Sequence, residues 1–222
     1  MPFIKKVQNN IIVNGLDLTQ TSHLLLDSGD KLEVNIKIAD KRHISDQQRK
    51  FIFALCQEIG DYMGEDKDFV RLNIQEVYKN IYGLEKDSLA LYTMSEAKGL
   101  IDLIIHYCID NKVPVSYKLM KENEFSFSQK HIYRMILNRQ CAICGRVGAQ
   151  IHHVDAIGMG RNRNNISHIG KRALPLCTEH HTLIHTKGDK EVIEKLHLEP
   201  VEIDEKLELF IKKGIIKIHK ND

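Results

Sequence analysis

Two short metal-ligand spacings constrain this chain most: Cys141-Ala-Ile-Cys144 and Cys177-Thr-Glu-His180. Two thiolates three positions apart can grip one metal while intervening backbone N–H groups stabilise the sulfurs, and the second pair repeats the spacing with an imidazole. Together they spell a Cys3His tetrahedron, the closed geometry of structural Zn2+. A lone C-x-x-C also reads as a redox motif. The second pair, with no thioredoxin-like pattern around the first, favours zinc. Bound zinc would contribute folding free energy to a segment with little core of its own.

The chain has five cysteines, and the odd count argues against a disulfide framework. The other two, Cys56 and Cys108, sit in apolar helical patterns and read as small buried hydrophobes.

Histidine is unevenly spread. Six of the twelve histidines fall between His152 and His185, so they need a local explanation. His181 and His185 are four apart, which puts both imidazoles on one helix face. His180 is about 100 degrees away on that helix and points to a different site, consistent with the zinc pair. His152 and His153 are adjacent after the apolar Ile151, so in a strand they point to opposite sides. One can bind a metal while the other acts nearby.

At 222 residues the chain fits one or two compact domains. No stretch approaches the roughly 18 apolar residues of a spanning helix, and the start Met-Pro-Phe-Ile-Lys-Lys lacks a secretory h-region. The expectation is a soluble, cytoplasmic protein with no membrane partner. Charge is segregated. Residues 129–172 carry eight bases against one acid, Asp155, whereas residues 51–100 carry nine acids against five bases. The basic segment reads as a polyanion-binding surface or as a solvated face.

The sequence predicts a strand and turn over Ile11–Gly15 and, from the alternation of Leu32, Val34, Ile36 and Ile38, a strand at Lys31–Ile38. Ser45-Asp-Gln-Gln48 and Thr93-Met-Ser-Glu96 are capping boxes that open two helices. The first carries the stripe Phe51, Leu55, Ile59, Tyr62 and ends at Gly64. The other carries Ala97, Leu100, Ile101, Ile104, Ile105, Cys108 and stops near Asn111. Further helices are predicted over Val70–Ile81, His131–Leu137, Glu191–Leu196 and Ile203–Lys212, with a short strand at Ile215–Ile218.

The run Ile151-His-His-Val154, Leu174-Pro-Leu-Cys177 and His180-His181-Thr-Leu-Ile-His185-Thr-Lys-Gly188 resembles the HNH, or ββα-metal, nucleases. It is most similar to phage members whose second zinc pair is C-x-x-H, and the likeness covers about Cys141 to Gly188. The resemblance implies that His152, His181 and His185 hold one divalent ion (Mg2+ or Mn2+, with Zn2+ or Ni2+ also suited to imidazoles). It implies that His153 is the general base, and that Cys141, Cys144, Cys177 and His180 hold structural Zn2+. One departure stands out. The family's middle Asn, nine positions before the first helical histidine, is Arg172 here. Arg172 would then clamp phosphate, with Asn162, Asn164, Asn165 or His168 orienting the base. The loop Gly158–Asn165 reads as a phosphate-contacting loop through Arg161 and Arg163, joined by Lys171, or as a glycine-rich hairpin turn.

The front half has a looser likeness. His43-Ile-Ser45-Asp-Gln-Gln-Arg-Lys50 and Met94-Ser-Glu-Ala-Lys-Gly-Leu100-Ile-Asp-Leu-Ile-Ile105 resemble the phage recombination mediator Orf (NinB family) over about Lys31–Val115. That resemblance implies a homodimeric α+β domain on single-stranded DNA, with Arg42, Arg49 and Lys50 as phosphate contacts and single-strand-binding protein as a partner. An ordinary capped helix with a basic first turn is the other reading. The resulting expectation is an α+β chain: an Orf/NinB-like domain over 1–120, a zinc-braced ββα-metal domain over 128–190, and an extension over 191–222. Its expected work is DNA phosphodiester hydrolysis in phage recombination or replication, on double-stranded, branched or single-stranded DNA. A non-catalytic zinc-containing single-stranded-DNA-binding mediator and an RNA nuclease are the competitors.

Overall fold

Local signals place most of the helices. The computed structural model describes residues 3–7, 10–14, 27, 40–155 and 167–218. The chain forms two compact units, Met1–Ala39 and Asp40–Asp222. In the first, β1 (Phe3–Val7) pairs antiparallel with β2 (Asn10–Asn14), which overlaps the predicted strand and turn over Ile11–Gly15, Gly15 lying outside the described residues. The predicted strand Lys31–Ile38 lies outside the described residues, as do Arg161, Arg163, Asn162, Asn164 and Asn165.

In the second unit, α1 (Asp46–Met63) begins at the predicted capping box: Ser45 Oγ accepts from Gln48 N at 3.1 Å, and Gln48 Oε1 accepts from Ser45 N at 3.2 Å. Such a cap contributes about 1 kcal/mol. Gly64 closes the helix at φ 75°, a backbone region that favours glycine. A second box, Thr93 with Glu96, opens α3 (Met94–Asp110). Between them α2 (Lys67–Tyr82) starts three residues before the predicted Val70, because Asp66 caps the N–H groups of Asp68 and Phe69.

The facing stripes of α1 and α3 make the core: Phe51, Leu55 and Ile59 are fully buried against Leu100, Ile104 and Cys108. Tyr62 does not belong to it. It is 55% exposed, and Met63 beside it is 52% exposed. Cys56 and Cys108 are buried as expected, and burial pushes the Cys56 thiol up to about 12.

A short helix not foreseen in the sequence, α4 (Tyr117–Glu122), is capped by Ser116. It is followed by α5 (Gln129–Asn138), two residues longer at its start than predicted. Then come β3 (Gln150–His153), β4 (Arg172–Leu176), α6 (Thr178–Lys187), α7 (Asp189–Lys195), β5 (Val201–Glu202) and α8 (Glu205–Lys212). The three strands form an antiparallel sheet of order β3-β4-β5, with His152 opposite Leu174 and Ala173 opposite Val201. Pro175 sits in the middle strand without cost to the ladder, since β5 spans only Arg172 and Ala173 of β4. The predicted strand at Ile215–Ile218 is instead one parallel bridge, Ile218 to Ile151, too short to make a ladder.

The architecture is α+β. The two compact units divide between Ala39 and Asp40. Within the second unit, the helices of residues 46–110 and the elements of residues 128–190 share one apolar cluster that runs from Phe51 through Cys141 and Ile184 to Ile216. Among the described residues no helix is long and apolar enough to cross a membrane.

Candidate metal centre

The two cysteine-containing pairs arrive on different elements. Cys141 and Cys144 lie in a tight turn after α5: Gly145 N–H bonds Cys141 O at 2.8 Å and Cys141 N–H bonds Arg146 O at 2.9 Å. Gly145 has φ 71°, and a Cβ there would lie 2.6 Å from Val115 N, so only glycine fits against the strap from α3. Ala142 N–H bonds Pro175 O at 2.9 Å, which fixes the turn to β4. Cys177 is the N-cap of α6, and His180 is its third residue.

Cys141 Sγ and Cys177 Sγ lie 3.5 and 3.2 Å from His180 Nδ1, and Cys144 Sγ lies 3.8 Å from Cys177 Sγ. A tetrahedron of Zn–S and Zn–N bonds has edges of roughly 3.3–3.8 Å, so these four atoms fit one zinc. Burial, only partly offset by hydrogen bonds from nearby backbone N–H groups, leaves the Cys141 thiol pushed up to about 12. Holding thiolates there takes the charge of a cation. Burial also opposes ionisation of Cys144, but the Arg146 guanidinium, donating from Nε at 3.4 Å, helps bring it below the ordinary thiol value. Arg146 is itself braced by an ion pair with Glu179.

A second cluster stands apart from this one. His152 comes from β3, His181 and His185 from one face of α6. One ring nitrogen from each lies within 4.8 Å of the others. His152 Nδ1 is 3.1 Å from His181 Nε2, and the His181 and His185 ring centres are 4.4 Å apart. His152 and His181 are each 1% exposed or less, whereas His185 faces solvent. The cluster is therefore buried at His152 and His181 and open to solvent at His185. Three imidazoles at this spacing could hold one metal ion.

His153 points to the other side of β3, as strand alternation predicts. Its Nε2 lies 3.1 Å from Nδ1 of His168, a ring 2% exposed. His168 is the one member of the orienting set (Asn162, Asn164, Asn165, His168) that falls among the described residues. It is anchored from the C-terminal segment: Glu208 of α8, 3% exposed, accepts His168 N–H at 3.2 Å and Ser167 Oγ–H at 3.1 Å, and pairs with Lys212 at 3.1 Å.

Arg172 is half-exposed on β4. Asp155 grips its guanidinium at 2.7 and 3.1 Å and also accepts its backbone N–H at 2.7 Å. Lys171 beside it is half-buried. Arg42, Arg49 and Lys50 are exposed at the start of α1, far along the chain from these groups, with Arg42 paired to Asp40 and Arg49 to Asp46.

Sequence reading passed over Asp189, whose Oδ1 lies 2.5 Å from His152 Nε2, and over Glu208. A signal existed for Asp189, four positions after His185. None existed for Glu208, which acts only through the tertiary fold.

A two-stranded ribbon feeding a helix, with three imidazoles gathered between strand and helix and a doublet histidine on the strand, defines a metal-binding ββα module of the HNH type. The chain belongs to the family described as "Putative HNHc nuclease", whose model matches residues 14–214. That match takes in the helical half together with the histidine half, and it does not show the likeness of residues 31–115 to the recombination mediator. No curated protein and no solved structure matches the chain.

Proposed function

We propose that the protein is a metal-dependent endonuclease that hydrolyses DNA phosphodiester bonds at the open side of the histidine cluster. The observation that carries this reading is the convergence of His152, His181 and His185, from two elements, with His153 next in the chain. A divalent cation held by those three imidazoles would offset charge on the scissile phosphate and on the leaving oxygen. His153 accepts the proton of the attacking water, a task suited to a neutral imidazole near pH 7. His168 takes the place of the family's Asn by holding the His153 ring, and Glu208 holds His168. Arg172, kept in one orientation by Asp155, contacts the phosphate together with Lys171 and the arginines Arg161 and Arg163. The cysteine site holds zinc and braces the start of α6.

The narrower substrate reading is branched or single-stranded DNA in phage recombination, with Arg42, Arg49 and Lys50 on the backbone. It rests on the likeness of residues 31–115 to the Orf mediator.

The test is divalent-dependent nicking of plasmid, branched DNA and labelled RNA in parallel. His153→Ala should lower cleavage by about 10²–10⁴-fold while leaving the fold and cation binding intact. Wild-type protein that cuts none of these substrates with Mg2+, Mn2+, Ni2+ or Zn2+ would leave a zinc-braced binding module. Cleavage confined to RNA would replace the substrate.

A further inference from the structure

We propose that Asp189 is a positioning residue for the histidine centre: its carboxylate accepts Nε2–H of His152 and so commits Nδ1 of that ring to the cation. The inference rests on the reading of His152, His181 and His185 as cation ligands.

The geometry is direct. Asp189 Oδ1 lies 2.5 Å from His152 Nε2, and the other ring nitrogen, Nδ1, lies 3.1 Å from His181 Nε2 on the side of the cluster. A neutral imidazole carries one N–H and one lone pair. If the proton sits on Nε2, facing a carboxylate, the lone pair sits on Nδ1 and faces His181. The opposite tautomer would aim an N–H into the cluster and set the Nε2 lone pair against a carboxylate oxygen. Asp189 therefore selects the tautomer that can bind. The His152 ring is 1% exposed, so water cannot readily replace the carboxylate as its partner.

Asp189 itself stands outside the cluster. The group of side chains whose ligand atoms lie within 4.8 Å of one another contains His152, His181 and His185 and not Asp189. Its contribution runs through His152. Chain geometry explains how it gets there. The helix carrying His181 and His185 ends at Gly188, whose backbone (φ 91°, ψ 141°) turns the chain out of the helix, and Asp189 opens α7. The sequence spacing His181, His185, Asp189 would put all three on one face of an uninterrupted helix. With the break at Gly188, the carboxylate meets the far nitrogen of the strand histidine instead. A carboxylate behind a ligating imidazole fixes ring orientation and raises ligand basicity, and its loss typically costs 10–100-fold in metal affinity.

The experiment is calorimetric titration of Mn2+ into full-length protein whose cysteine site is already loaded with zinc. Wild type is compared with Asp189→Ala, the near-isosteric Asp189→Asn and, as a neighbouring control, Glu191→Ala. Thermal melts report that each variant is folded. Asp189→Ala should bind Mn2+ 10–100-fold more weakly, Asp189→Asn should fall between it and wild type because the amide oxygen still accepts, and Glu191→Ala should match wild type. Nitrogen-15 spectra of the wild type should show His152 with its proton on Nε2, and Asp189→Ala should show a mixture of tautomers. Mn2+ affinity within twofold of wild type in both Asp189 variants overturns the proposal, as does an Nδ1–H tautomer of His152 in the wild type. Equal affinities in a protein that cuts DNA remove the role of Asp189 and leave the nuclease reading standing. Weakened Mn2+ binding in a protein that cuts nothing does the reverse. A wild type that binds no second cation overturns both.

Discussion

Single residues carry the site's precision. Gly145 is one: its φ of 71° and the 2.6 Å approach of a Cβ to Val115 N leave no room for a side chain. Gly145→Ala should cost at least 1–3 kcal/mol, roughly the scale of a backbone held in a sparsely populated region. It should also speed zinc loss to a chromogenic chelator. Glu208 is another. Burial opposes its ionisation, but Lys212, the His168 N–H and the Ser167 hydroxyl together hold the carboxyl below its ordinary value. A depressed acid stabilises the fold above its unfolded-state value and loses that contribution as pH falls through the folded one. Glu208→Gln should therefore destabilise the protein by about 1–3 kcal/mol at pH 7, with a smaller difference in acid. It should also slow DNA cleavage while Mn2+ affinity stays unchanged, since the residue reaches His153 and not the cation ligands. Equal cleavage rates in the two proteins would remove Glu208 from the path to His153.

At the scale of elements, α5 shows how a helix end can be made sensitive to pH. Its capping box uses His131 where Glu or Gln is usual: His131 Nδ1 accepts Ser128 N–H at 3.2 Å, which only an unprotonated nitrogen can do. Burial, then neighbouring His106 and the charges of Arg134 and Lys130, push the imidazole down to about 4 from an ordinary 6.5, despite Asp102 at 3.5 Å. Between those values the unfolded chain binds the proton and the folded chain does not, so stability rises with pH across that window. The difference amounts to on the order of 3 kcal/mol at full swing. Urea melts of wild type from pH 6.5 to 4 should show this loss. His131→Gln keeps a capping side chain and should flatten the slope. The capped starts of α1 and α3 were legible in the sequence because capping is local, three residues reading one another. The start of α6 is local too, yet its N-cap is Cys177, whose sulfur faces His180 and Cys144 and makes no cap bond.

At the scale of the second compact unit, one apolar cluster joins the helices of residues 46–110 to the Cys141–Cys144 turn and to β3, β4 and α6. The strap after α3 makes the join concrete, with Tyr117 N–H on Ile143 O at 2.7 Å. Helix melting followed by circular dichroism and zinc release followed by a dye should coincide in one denaturant transition. Chelation of zinc should lower the melting temperature of the whole, and not only of the C-terminal part. Two separated transitions would show that the halves fold independently.

The sequence by itself determined what is local or chemical: the capped helices, the α1 and α3 stripes short of Tyr62, and the spacings of Cys141, Cys144, Cys177 and His180 and of His152, His181 and His185, two groups that could each hold a metal ion. These are legible because ligand spacing and helical periodicity are written in neighbouring residues. Only the tertiary structure decided which nitrogen of His152 faces His181, that His168 meets His153, and that Glu208, forty residues further on, accepts the His168 backbone N–H. Those contacts depend on how β3, α6 and α8 come to rest against a common core, and a buried polar group's partner is set by that packing rather than by any spacing along the chain.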